Sequence, residues 1–379
     1  MSSNMDYIFK IGIVGPTRVG KTSLIASILN DAQRLLEGKP VSMHPHGAKT
    51  ERRVAQHHKE LSGSIRAGEF HPGAVSGTEE SFTYELSLDP GTTAGGIRLD
   101  ILDYPGGWID SIRRPEEREA EWNACKQWMK ESSVLIVPVE SAVMMEASSA
   151  SHRRAVPFIL NTYDIEQVAR AWAKDRSVHP ERPALLIFCP VKCESYFADN
   201  GGLTDASLPL FHALEDHYRD VLKAVKGEAP HAKIIYAPVD TVGCVEIVKA
   251  NWRGESQNSA DVVFSADYRV RRPGHQAVKG ADAVLVSLCR HLVDAKHRSE
   301  NEKANESEVV AQRAKNEAEK DEGFLGNIWL WASRERRRRR DRAEVLSYQV
   351  DRQKQVVQDL GEIIDQLAEL PFGPRVREL

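Results

Sequence analysis

Cysteine is scarce in this chain of 379 residues: Cys125, Cys189, Cys193, Cys244 and Cys289 are odd in number and scattered. A disulfide framework needs an even, closely spaced set, so these thiols are expected to be reduced, as in a cytosolic protein. Only Cys189 and Cys193 lie close together, and without a second pair they make a poor zinc site. Long apolar runs are lacking too; none approaches the ~18 residues of a membrane-spanning helix. The first fifteen residues lack the basic-then-apolar layout of a secretory signal, which again points to the cytoplasm. Neither sign of charge dominates, with 51 basic against 55 acidic residues, so no global field steers the chain to nucleic acid. The hydrophobic share, 41%, excludes wholesale disorder and fits one elaborated domain or two average ones.

Up to about Leu292, apolar runs of strand length alternate with stretches of helical period. The spacing predicts strands at Ile8–Val14, Ser81–Leu88, Ile97–Leu102, Val134–Val139, Ala184–Cys189 and Lys233–Ala237. Helices are expected at Lys21–Leu36, Arg114–Lys130, Ala155–Lys174, Leu208–Val225 and Val278–Val293. Such alternation predicts the α/β class, a sheet covered on both faces in three layers. The second and third strands are joined by Asp89-Pro90-Gly91 through Gly95-Gly96, too short a link for a crossover helix. An antiparallel hairpin in a mixed, mostly parallel sheet follows.

After about residue 296 the composition changes, and a boundary is expected there. Lys296–Glu322 is polar almost throughout, then Trp329 and Trp331 precede the arginine run Arg336 to Arg340. Leu346, Val350, Val357, Leu360, Ile364 and Leu367, with Gln353 in the gap, form the narrow seam of a helical hairpin or coiled coil. Pro371-Phe372-Gly373-Pro374 should stop that helix. Residues 296–379 are therefore expected to form a charged helical arm. Its tryptophans and arginines suit a membrane interface, a nucleic-acid backbone, or a helix corner paired with nearby acids. The corner is the simplest of the three, and nucleic acid the least favoured.

Gly15-Pro16-Thr17-Arg18-Val19-Gly20-Lys21-Thr22 stands directly after the first strand and opens a helix with Ser23. This is G-x-x-x-x-G-K-[ST] in strand–loop–helix context, the P-loop of nucleoside-triphosphate-binding proteins. Glycines let backbone N–H groups curl around a polyphosphate, and the helix N-terminus adds its dipole. Lys21 can reach the outer phosphates, and the Thr22 hydroxyl can ligate Mg²⁺.

The third strand runs into Asp103-Tyr104-Pro105-Gly106, and Gly77-Thr78 precedes the second. An aspartate at a strand end can hold a water on Mg²⁺. Tyr104 stands where many P-loop ATPases place a second acid, which favours a GTPase layout. Thr78 through Gly106 resembles the switch I to switch II stretch of Ras-like GTPases of the TRAFAC class. The resemblance implies that Thr78 ligates Mg²⁺, Asp103 holds it through water, and Gly106 offers its N–H to the γ-phosphate. It also implies GTP and GDP as ligands, with Lys21, Thr78 and Gly106 serving hydrolysis.

The family's base-recognition pattern, [NT]-K-x-D, is matched loosely by Val191-Lys192-Cys193-Glu194. Lys192 would pack over guanine and Glu194 would accept from its edge, while Val191 loses a polar buttress. Ala237 through Cys244 occupies the position of the final base-contacting loop. Where Ras-like proteins place a glutamine to orient water, this chain has Gly107, then Trp108. Slow intrinsic hydrolysis is expected, or hydrolysis completed by a partner or by an arginine such as Arg18, Arg66 or Arg113.

Between Asp31 and Gly77 lies a long insertion, with an extra helix expected at Ala48–Ile65. Its five histidines, His44, His46, His57, His58 and His71, are expected to be solvated rather than metal-binding. A helical insert before the switch threonine, with the altered catalytic position, resembles bacterial GTPases of the double-GTPase type. That resemblance implies protein partners, among them a second GTPase or another copy joined through the C-terminal helices. Peripheral membrane contact is the further option.

Overall fold

The computed structural model describes residues 7–37, 42–66, 69–70, 78–89, 97–112, 114–180, 184–200, 202, 204–254, 262–271, 278–291 and 368–379. The arm's tryptophans, its arginine run and its apolar seam lie outside these, as do Gly77, His71, Arg113 and the turn at 90–96. In chain order the strands are β1 (Tyr7–Ile13), β2 (Ser42–Pro45), β3 (Glu69–Phe70), β4 (Phe82–Asp89), β5 (Ile97–Asp103) and β6 (Val134–Glu140). They continue as β7 (Leu185–Val191), β8 (Lys233–Tyr236), β9 (Val245–Arg253), β10 (Val263–Val270) and β11 (Arg377–Glu378). The helices are α1 (Lys21–Leu36), α2 (Gly47–Arg66), α3 (Glu119–Glu131) and α4 (Ser141–Met145). After them come α5 (Ala150–Ile159), α6 (Thr162–Val178), α7 (Ser207–His217) and α8 (Arg219–Glu228), and residues 281–291 are helical as well.

The class is α/β with a mixed, mostly parallel sheet. Eight strands run in the order β11-β8-β7-β6-β1-β5-β4-β2. The five from β8 to β5 are mutually parallel, while β4, β2 and β11 are antiparallel to their neighbours. The β4–β5 pairing, Tyr84 opposite Ile101, is the hairpin the turn residues predict. Parallel strands read as unbroken apolar runs because both faces are covered. Leu135, Val137, Leu186 and Phe188 pack against α3, α6 and α8, whereas Ile136, Leu185 and Ile187 pack against α1 and residues 281–289. Chain order reverses at β1, which lies between β5 and β6. A crevice beyond the strand ends at such a reversal is where open α/β sheets take ligands.

The expected helix at Ala155–Lys174 is two helices. Pro157 lies near the end of α5, and Asn161, at φ 50°, turns the chain into α6. The Leu208–Val225 stretch likewise divides, at Tyr218, into α7 and α8. Pro115 delays α3 to Glu119, after a 3₁₀ turn at Glu116–Arg118.

The second sheet, β3-β10-β9, went unpredicted. Its strands are short or only half covered, with burial alternating along β10, so no continuous apolar run announces them. Leu61 and Ile65 of α2, Phe70 of β3, and Tyr268 and Val270 of β10 share one apolar cluster with Val242 and Cys244. The insertion after α1 is thereby fastened to the hairpin after β8.

Residues 368–379, assigned to the arm from composition, return to the sheet. β11 pairs with β8, with Arg377 opposite Tyr236. Arg290 donates to the carbonyls of Ala368 and Leu370 at 2.7 Å each, and its guanidinium lies 3.7 Å from the Phe372 ring centre. Arg375 donates to Asp240 at 2.7 Å, pairs with Asp199 and covers the Phe197 ring. Asp240 has no exposed surface, and a buried carboxylate robbed of its cation is costly. Arg375→Ala should therefore lower unfolding free energy by about 3 kcal/mol or more in denaturant titration.

Candidate functional site

Residues 14–20 leave β1 where the strand order reverses. Val19 is buried against Gly15, Arg18 takes a left-handed turn (φ 62°) with its side chain exposed, and Gly20, at φ 105°, caps α1. A left-handed cap favours glycine, so the motif's second glycine has a backbone reason as well as a ligand one. Thr17 is exposed at the loop's crest. Ser23, in the first turn of α1, accepts from the Ser27 hydroxyl at 2.8 Å.

Lys21 is buried beneath this loop, its Nζ donating to the carbonyls of Gly15 and Pro16 at 3.1 Å each. Burial pulls its pKa down to about 8, a pull that the Asp103 carboxylate opposes. Tyr104 lies below: its ring is 5.1 Å from Nζ, and its hydroxyl accepts from the Gly15 N–H at 3.2 Å. Tyr104, fully buried, thus braces the loop from the position where an ATPase's second acid would stand.

Three oxygen-bearing side chains from distant segments meet beside the loop. Thr22 and Thr78 donate their hydroxyls to the same oxygen, Asp103 Oδ2, at 2.9 and 2.7 Å, and lie 3.5 Å from each other. Asp103 is wholly buried, and its other oxygen, Oδ1, has no hydrogen-bond partner among the described residues. Two hydroxyls and a carboxylate are the hard oxygen donors that suit Mg²⁺. Gly106 follows against the loop: a Cβ there would lie 2.3 Å from Thr17 N and 2.4 Å from the Pro16 carbonyl carbon. Only glycine allows that approach. Gly107 is exposed, Trp108 is buried, and Arg66 ends α2.

On the other side of the loop, Lys192 adopts φ 52° just past β7 and donates to the Arg18 carbonyl at 3.2 Å. It also pairs with Glu140 at the end of β6, which accepts from the Tyr268 hydroxyl at 3.0 Å. Val191 packs 3.7 Å from where a Gly20 Cβ would stand, an apolar contact with the loop in place of a polar buttress. Glu194 Oε1 accepts from the N–H groups of Val242 and Gly243 at 3.1 and 2.7 Å, whereas Oε2 is buried without a partner among the described residues. The segment Ala237–Cys244 therefore does meet the Val191–Glu194 segment. Burial, then the charge of Asp240, pushes the Glu194 carboxyl up, against the pull of those N–H groups. Asp240 takes the Cys193 thiol at 3.0 Å and the Asn200 amide at 2.7 Å.

Glu140, Tyr268 and Arg375 were not anticipated, and Asp240 only as part of the Ala237–Cys244 segment. Each is an unremarkable residue in sequence, and it is the hairpin and the returning C-terminal segment that carry two of them here. The histidines divide: His44, His46 and His58 are exposed, but His57, expected to be solvated, is buried. No family model matches the chain, and no curated protein matches its sequence.

Two outcomes follow from this geometry. Gly106→Ala must displace either the loop or the 3₁₀ turn that Gly106 opens; if the loop takes a phosphate ligand, that ligand's affinity should fall in calorimetry, with the fold intact by circular dichroism. Because the folded state raises the Glu194 pKa, it binds more protons than the unfolded chain, and stability is lost as pH rises through that range. Glu194→Gln keeps the acceptor for Val242 and Gly243 without the charge. Its stability relative to wild type should grow from about pH 5 to about pH 8 in denaturant titrations.

Proposed function

We propose that this chain is a Mg²⁺-dependent GTP-binding protein that hydrolyses GTP to GDP and phosphate, working as a partner-regulated switch. The observation that carries this reading is the convergence of Thr22, Thr78 and Asp103 beside the loop that holds Lys21. They come from the helix start, the entry to β4 and the end of β5. In this reading the architecture is that of a P-loop NTPase, Ras-like and of the TRAFAC class, most like bacterial double-GTPase-type proteins.

Mg²⁺, when bound, would neutralise charge on the phosphates. Residues 15–20 would turn their N–H groups toward the polyphosphate, and Lys21 would exchange its two carbonyl partners for phosphate oxygens. Gly106, already against Pro16 and Thr17, would bring its N–H to the γ-phosphate, and Thr78 would report that phosphate's presence to the chain before β4. Lys192 would brace the loop and flank the base, and Glu194 Oε2 would face the guanine edge. No side chain at Gly107 orients water, so intrinsic turnover would be slow, and the missing group would come from a partner or from an arginine such as Arg18.

One observation favours a second reading. A carboxyl whose pKa is raised, as that of Glu194 is, can be protonated and donate a hydrogen bond, which suits N1 of adenine rather than the N1–H of guanine. Affinities for GTP and ATP with Mg²⁺ decide between them, and equal or ATP-favouring binding would sink the guanine assignment. Lys21→Ala is expected to abolish binding of either nucleotide. Single-turnover phosphate release, with and without cell extract, should be slow alone and accelerated by the extract if a partner completes the site.

A further inference from the structure

The inserted helix α2 turns one stripe inward, with Thr50, His57, Leu61 and Ile65 each 8% exposed or less. Steps of three and four residues keep these positions, together with Arg53, on a single face. That face is fastened over β4. Thr50 Oγ1 accepts from the Glu85 N–H at 3.3 Å, and Arg53 Nε donates to the Tyr84 hydroxyl at 3.3 Å while its guanidinium covers the Phe82 ring. Tyr84 lies opposite Ile101, two residues before Asp103. One turn beyond Arg53 stands His57, 4% exposed and within electrostatic reach of Asp103.

Its Nε2 is buried without a partner among the described residues, as is Asp103 Oδ1. Two buried, unpartnered polar atoms on residues within electrostatic reach of each other are each costly unless a ligand satisfies them. An imidazole protonated at Nδ1 alone leaves Nε2 as an acceptor for water. Asp103 Oδ1 is an acceptor too, and the water of a hydrated cation could donate to both atoms.

We propose that His57 is a positioning residue of the cation site, its Nε2 hydrogen-bonding a water in the coordination shell of the Mg²⁺ held at Thr22, Thr78 and Asp103. The inference rests on the cation reading above. It gives α2 a task beyond covering β4, since a movement of the insertion would then alter the cation's hydration shell. Groups one step outside the metal ligands typically change affinity by about 10–100-fold when removed.

The test uses the full chain with GDP and with Mn²⁺ in place of Mg²⁺, free Mn²⁺ being measured by electron paramagnetic resonance. His57→Leu should weaken Mn²⁺ binding by about 10–100-fold. Its cation-free melting midpoint should stay level or rise, because an apolar group replaces an unpaired polar one. His57→Gln, which retains an acceptor, should recover most of the affinity. Wild-type affinity in His57→Leu would overturn the assignment. So would an equal loss in both variants accompanied by lowered melting, which marks a packing role. A wild-type chain that binds no Mn²⁺ alongside GDP would overturn the cation reading itself.

Discussion

A carboxylate taken wholly out of water must be met by donors or a cation, and Asp103 imposes that demand at the end of β5. Its Oδ2 is met by the first turn of α1 and by the entry to β4, which puts the phosphate-type loop and the Thr78 segment within one hydrogen bond of each other. The same charge opposes the pull of burial that lowers the Lys21 pKa. Tyr104 and Gly106, the next residues along, brace the loop from below and press against its backbone. The proposed function is in effect a statement about what completes this arrangement.

Around that centre the chain adds elements that a minimal sheet would not need. The insertion carrying α2 is bound to β4 by Thr50 and Arg53 and to the β9–β10 hairpin by Leu61, Ile65 and Phe70. The hairpin reaches the Lys192 side through Tyr268 and Glu140. The C-terminal segment reaches the Glu194 side through Arg375 and Asp240. Both flanks of the loop are thus tied to segments distant in sequence.

Legibility differed with the kind of signal. α1 was predicted to the residue because Leu24, Ile25, Ile28, Leu29 and Ala32 repeat at helical spacing after a glycine cap, and its buried face is that stripe. Central strands were legible because burial on both faces demands continuous apolar residues. By contrast, β9 and β10 bury only part of one face, and β11 spans two residues, so pairing rather than composition makes them strands. His57 shares its helix with the exposed His58. Its inward placement follows from the Thr50–Leu61–Ile65 stripe, which is legible only once α2 has a sheet to face.

By itself the sequence determined what local chemistry can encode: the loop that curls at Gly20, the helix behind it, and the apolar strands. It also named Thr22 from the loop's spacing and Asp103 from its place at a strand end, while Thr78 came from the resemblance to a known family. Tertiary structure decided which distant groups meet: two hydroxyls on one carboxylate oxygen, Arg375 on Asp240, and a buried imidazole within electrostatic reach of a buried carboxylate. The reason is physical. Periodicity records which face of an element is buried, whereas hydrogen bonds and buried charges depend on what another element brings to that face.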